Sequence, residues 1–273
     1  MGVGAAGLLA DLYSVWSTLA LGLALGKWLK MDEALTVLIA TGSAICGCSA
    51  VAATQPILDA ESHHVAAAVG TVVLCGTSAM FIYPALQQAV PTLAASNQLM
   101  GIYTGATVHE LAGVVAAGNA MGPEVASVAV ITKLVRITLL VPTLYLLPYV
   151  LGRSRGKPGA PSAAAAAAGS GALEGGSAGG GGVAASSGTP WFVLGFAGVA
   201  ALNSVVGLGP QVTGLCATAS GACLCAAMAA LGLDTDVAKV RALGPKPLVL
   251  SLALWANLLV GGGLVAQFLT AKF

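Results

Sequence analysis

Apolar residues in this chain run in blocks of about 20, the length a helix needs to cross ~30 Å of hydrocarbon. Short polar stretches separate the blocks. Eight stand out: residues 7–29 (A), 34–58 (B), 65–86 (C), 99–118 (D), 125–151 (E), 191–208 (F), 212–233 (G) and 248–269 (H). A soluble core has no need of so many. The pattern predicts an all-α polytopic membrane protein with about eight transmembrane helices. Between E and F lies "AAAAAAGSGALEGGSAGGGG", too poor in apolar side chains to offset the entropy of ordering it. The expected organisation is therefore a first membrane bundle of five spans over 1–151, a flexible Gly/Ala/Ser-rich loop over 152–189, and a second bundle of three spans over 190–273.

Basic residues test this plan. Lys27 and Lys30 follow A, Arg153, Arg155 and Lys157 follow E, and Lys239, Arg241 and Lys246 lie between G and H. If every block spans, all three clusters fall on one side, as the positive-inside rule requires. No secretory or transit leader is expected from the first residues. The expected location is integral and multi-pass, in a plasma or organelle membrane.

Charged residues make up 8% of the 273 residues, against about 25% in a soluble domain, which strengthens the membrane reading. A net charge of +1 gives no footing for nucleic acid. The six cysteines lie in apolar blocks, and their C-x-C spacing is not that of a metal knuckle. They read as packing residues, and neither metal nor cofactor is expected. "VHELAG" lacks the second His that would complete a zinc-protease face, because position 113 is Gly. With no phosphate-binding loop or nucleophile elbow either, the chain does not read as an enzyme.

A charge at mid-span costs a few kcal/mol, so Asp11, His109, Glu110, Lys133 and Arg136 stand out. Lys133 and Arg136 are three apart and share a helix face. Two compatible roles follow. One is a buried ion pair joining D to E, such as Glu110 with Arg136. The other is a polar route, in which Lys133 and Arg136 attract an anion and His109, Glu110 and Asp11 relay protons.

Block B carries Gly42 and Gly47 near its centre, each costing a helix about 1 kcal/mol relative to Ala. A break there frees backbone groups at membrane depth, tolerated only where they are buried in protein or line a cavity. A half-helix starting near Ser49 would aim its positive end at mid-membrane, which suits an anion. Block G, with Gly214 and Gly221, has a similar composition. The expectation is two broken, crossing helices, one in B and one in G. The alternative is that both are small-residue packing faces of unbroken helices.

Six collinear stretches then bring a family into view: "GSAICGCSAVAAT", "GTSAMFIYPAL", "GIYTGATVHELAGVVAAG", "ITKLVRITLLVP", "PWFVLGFAGVAALNS" and "AMAALGLDTDV" with "LGPKPL". In these the chain resembles the YeiH-type sulfate exporters, bacterial multi-pass inner-membrane proteins. The resemblance covers nearly everything but the Gly/Ala loop. It implies a longer family protein, with further spans before the region matched here. It also implies an inverted-repeat transporter fold in which B and G are the fourth helices of two five-helix repeats. The chain departs from the family pattern at Ala44, where a Ser is usual.

The expected function is a secondary transporter exporting a small anion, sulfate among the candidates, driven by an ion gradient. Thr41, Gly42, Ser43, Cys46, Gly47 and Ser49 would form the mid-membrane substrate site, with Asn203 on F adding a polar contact. Expected partners are the anion, the lipid bilayer and a second copy of the chain in a homodimer. Two alternatives stand beside this: a cation/proton antiporter of the same architecture, with Glu110 or Asp11 binding the ion, and a truncated, non-transporting membrane subunit.

Overall fold

The structure is a computed structural model that describes residues 4–94, 96–151 and 244–272, with scattered positions between 214 and 226. The chain is an all-α polytopic membrane protein. Among the described residues its continuous helices are α1 (Gly4–Trp28), α2 (Glu33–Ala44), α3 (Cys48–Leu58), α4 (Ser62–Ala89), α5 (Pro91–Ala94), α6 (Asn97–Thr107), α7 (Leu111–Met121), α8 (Pro123–Thr138), α9 (Leu140–Val150) and α10 (Pro245–Lys272). Among the described residues, four helical stretches are long and apolar enough to cross a membrane: α1, α4, α8 with α9 as Pro123–Val150, and α10. They match blocks A, C, E and H. Blocks F and most of G, and the 152–189 loop, lie outside the described residues.

Local chemistry sets the helix starts. The Asp32 carboxylate accepts from the backbone N–H of Ala34 at 2.8 Å and caps α2. Ser96 Oγ accepts from Leu99 N at 3.3 Å and caps α6. Pro123 opens α8, where its missing N–H costs nothing. Lys30 and Asp59, both at φ 51°, turn the chain after α1 and after α3.

α1 and α10 run antiparallel. Asn257 Nδ2 donates to Ser17 Oγ at 3.4 Å, and a methyl group at Gly261 would meet the Tyr13 hydroxyl at 2.7 Å. The end of α1, with Lys27, therefore shares a face of the bundle with Lys246 at the start of α10, as the charge pattern requires. We call this the basic face.

Blocks B and D do not cross, which corrects the span count. Thr54 Oγ1 on α3 donates to Thr41 Oγ1 on α2 at 3.2 Å, and a methyl at Gly42 would meet Val51 Cγ2 at 2.8 Å. Collinear halves would hold Thr41 and Thr54 about 20 Å apart at 1.5 Å per residue. α2 and α3 are instead the arms of a re-entrant hairpin. Its mouth is at the basic face, where His64 at the start of α4 lies 3.8 Å from Asp32 at the start of α2.

α4 then crosses, and α6 with α7 form a second hairpin from the opposite face. Asn97 at the start of α6 donates to Glu124 Oε2, just past the end of α7, at 2.7 Å. Both its arms lie on α8. A methyl at Gly105 would collide with the Ala129 carbonyl oxygen, and one at Gly118 would lie 2.7 Å from Ala126 Cα. Each arm is 11 or 12 residues long, about 16–18 Å. Each hairpin thus reaches the middle of a ~30 Å hydrocarbon layer.

Candidate functional site

The two hairpin tips, residues 45–47 and 108–110, meet in the middle of the bundle. Four helix ends converge there. α2 and α6 bring their C-terminal ends, with unsatisfied carbonyls and partial negative charge. α3 and α7 bring their N-terminal ends, whose first N–H groups have no partner within the helix, and partial positive charge.

Lys133 and Arg136 on α8 hold the negative ends. Both are fully buried. Lys133 Nζ donates to Ile45 O at 2.8 Å, Val108 O at 2.7 Å and His109 O at 2.7 Å. Arg136 Nε donates to Ala44 O at 2.8 Å, its terminal nitrogens to Ser43 O at 2.9 Å and Val108 O at 3.1 Å. Charged donors make the stronger hydrogen bonds, about 1.5–3 kcal/mol each. The six bonds tie both tips to one helix.

This changes the roles foreseen for the two cations. An ammonium has three donors, and carbonyls take all three of Lys133's. The expected Glu110–Arg136 ion pair is not formed: the ion pairs among the described residues are His63 with Glu61 and His64 with Asp32. The guanidinium finds its acceptors in the carbonyls that the breaks expose, so it needs no carboxylate.

The first tip turns on Gly47, at φ 70° and ψ −129°, a conformation open essentially to glycine alone. Its Cα faces Glu110: a methyl there would lie 2.9 Å from Glu110 Cγ. The second tip has no glycine. Val108 (φ −66°, ψ 135°) and Glu110 (φ −114°, ψ 145°) are simply extended, so ordinary residues break this helix. Block D therefore carries a break where a continuous span was expected. The second break foreseen in G lies largely outside the described residues.

Glu110 sits as the N-terminal cap residue of α7, opposite the N-terminus of α3. Its Oε1 accepts from Cys48 Sγ at 3.4 Å. Cys46 Sγ and Ser49 Oγ lie 2.7 Å apart, and Ser49 Oγ also donates to Cys46 O at 3.2 Å. Thr41 is occupied within the hairpin, donating to Val37 O at 2.8 Å. The Ser43 hydroxyl and both His109 ring nitrogens are buried without a partner among the described residues. So are both Asp11 carboxylate oxygens, on α1. Gly42 is a packing contact beneath the tip. Asn203 lies outside the described residues.

Sequence reasoning passed over Cys48, whose thiol bridges the tips, and the carbonyls of Ile45 and Val108, which no side-chain pattern reveals. It also passed over Ser14 and Thr18 on α1. Their spacing of three and seven from Asp11 in an apolar helix was a legible signal.

The family described as "Conserved hypothetical protein 698" matches residues 1–251. A Yersinia pestis UPF0324 membrane protein is 40% identical over 95% of this chain and 68% of its own length. A Bacteroides thetaiotaomicron UPF0324 membrane protein is 37% identical over 99% of this chain and 74% of its own. The Escherichia coli UPF0324 inner membrane protein YeiH is 39% identical over 96% of this chain and 69% of its own. No solved structure matches the chain significantly.

Proposed function

The chain belongs to the conserved hypothetical protein 698 family of membrane proteins, and on that footing we propose that it is a secondary transporter of a small anion, sulfate being the first candidate, driven by an ion gradient. One observation carries this reading. Two re-entrant hairpins from opposite faces meet at mid-membrane and aim the N-termini of α3 and α7 at one another. Broken helices at membrane depth mark substrate and ion sites, and paired helix N-termini favour a negative charge. Lys133 and Arg136 neutralise the carbonyl ends and raise the local positive potential without touching the anion. Ser43, Cys46, Ser49 and first-turn N–H groups of α3 and α7 are its ligands. Glu110 occupies that place in the unloaded protein, and a substrate anion displaces it. Because the hairpins enter from opposite faces, movement of α2–α3 opens the site to the basic face and movement of α6–α7 opens it to the other.

The test is radiolabelled sulfate flux into proteoliposomes holding the purified protein under imposed proton or sodium gradients. Saturable flux that falls in Ser43→Ala is expected. No flux from folded protein under any gradient overturns sulfate as the substrate. The Glu110 carboxylate at the tips favours one other reading, cation/proton antiport. Glu110→Gln separates them: an anion carrier keeps or gains affinity for its substrate, whereas a cation carrier loses it.

A further inference from the structure

Asp11 is the group that the tip geometry does not use. It is fully buried in α1, as are Ser14 and Thr18. Spaced at i, i+3 and i+7, the three share one helix face. Both Asp11 oxygens and both hydroxyls lack a hydrogen-bond partner among the described residues. α1 packs against α2, α6, α8 and α10, so this polar stripe is turned into protein.

The charges that bear on Asp11 come from α8, namely Arg136 and Lys133. The other packed helices bring no buried acid or base. The Glu33 side chain is exposed in the first turn of α2, and Lys246 and Lys272 are exposed at the two ends of α10. From α6 comes only the Tyr103 phenol, which donates to Leu259 O at 2.7 Å. Yet no ion pair joins Asp11 to Arg136 or Lys133. Both cations point at the tip carbonyls instead.

We propose that Asp11 is the proton-binding site that couples transport to a proton gradient, and that it carries its proton in the arrangement seen here. An unpartnered carboxylate in an apolar interior is costly, and two cations nearby would draw an ionised one into a pair. Their attachment to carbonyls fits a neutral acid. A bound metal cation fits less well. α1 is an unbroken helix whose own carbonyls are spent, leaving a carboxyl and two hydroxyls where sodium needs several more oxygens. When Asp11 gives up its proton, its carboxylate competes with the carbonyls for Arg136 and Lys133. The clamp on the hairpin tips loosens, and the proton leaves to the face then open. The inference rests on the transport reading for its consequence, but not for the proton itself.

Two measurements test it. The first is the effect of a pH gradient on radiolabelled sulfate flux in wild-type, Asp11→Asn and Asp11→Glu proteoliposomes. The expected result is stimulation in wild type and Asp11→Glu, with its loss in Asp11→Asn. Stimulation that persists undiminished in Asp11→Asn overturns the proposal. The second is infrared difference spectroscopy of the purified protein between alkaline and acidic buffer. A buried carboxylic-acid band should appear, shift on carbon-13 labelling of aspartate, and be absent from Asp11→Asn. The isotope shift reads wild type alone, so a misfolded variant does not decide the matter. No such aspartate band, or one retained in Asp11→Asn, overturns the proposal. Should wild type move no sulfate while the band behaves as expected, the substrate reading falls and the proton site stands.

Discussion

The two hairpins do the same job by different means. In α2–α3 the arms pack on each other, Thr41 against Thr54 and Gly42 against Val51. The tip turns through a glycine conformation at Gly47. In α6–α7 the arms lean on α8 through Gly105 and Gly118, and the tip is an extended stretch without glycine. The first hairpin draws on contacts between its own arms as well as on α8, and it is marked in composition. The second depends on a neighbour and is marked only by two polar residues, His109 and Glu110, in an apolar block. A helix can be broken at membrane depth without any helix-breaking residue, provided buried donors wait for the freed carbonyls.

Those donors give the sharpest way to break the comparison. Arg136 gives two of its three bonds to the end of α2 that leads into the first tip, at Ser43 and Ala44. Lys133 gives two of its three to the second, at Val108 and His109. Replacing either with Met orphans buried carbonyls at about 1–3 kcal/mol apiece. Both variants should lose several kcal/mol, read as lower thermal midpoints in detergent. Hydrogen exchange separates them: Arg136→Met should loosen residues 42–51 more, and Lys133→Met residues 107–113 more. Equal loosening of both tips in both variants would contradict the division of labour.

Gly47→Ala comes next. The positive φ alone costs about 1–3 kcal/mol for a residue with a side chain, and the new methyl would press on Glu110 Cγ. His109→Ala, at the other tip, removes a ring whose nitrogens make no bonds among the described residues. It should cost less than Gly47→Ala in thermal midpoint. The reverse order would mean that the second tip is the more demanding of the two.

The contrast between the tips also explains what could be read in advance. Four spans, the break in B and the common face of Lys133 and Arg136 follow from local spacing. Whether a 25-residue apolar block crosses or doubles back does not. Two arms of 12 and 11 residues have the same hydropathy as one long helix, and contacts such as that between Thr41 and Thr54, thirteen residues apart, tell them apart. The charge test could not expose the error. Reading both B and D as spans adds two crossings, and two crossings leave every later segment on the same side. Lys27 and Lys246 share a face under either plan. Asp11 was noticed for its charge, but its isolation from Arg136 and Lys133 depends on the carbonyls that compete for them.

Thr54→Val probes a smaller contribution. The hydroxyl links the arms of the first hairpin through Thr41 at 3.2 Å, and its other bond stays within α3, to Ala50 O at 2.7 Å. Loss of one such link should cost about 0.5–1.5 kcal/mol. Faster hydrogen exchange should be confined to α2 and α3, with α6 and α7 unchanged. Spread into the second hairpin would show that the two move as one body.

The smallest effect on stability is expected from Ser43→Ala, and that makes it the most informative for function. Ser43 contributes its carbonyl to Arg136, which the substitution keeps. Its hydroxyl is buried with no partner among the described residues, so its removal relieves a desolvated polar group. The thermal midpoint should stay level or rise. A hydroxyl kept at mid-membrane for substrate would show itself by lost sulfate flux at unchanged stability. Equal flux in the variant would remove Ser43 from the substrate ligands and leave the backbone N–H groups of the tips, with Cys46 and Ser49, to hold the anion. A loss of stability of more than about 1 kcal/mol, the usual value of one buried hydrogen bond, would instead mark the hydroxyl as a structural bond. It would then belong with Thr54 as part of what keeps the first hairpin closed.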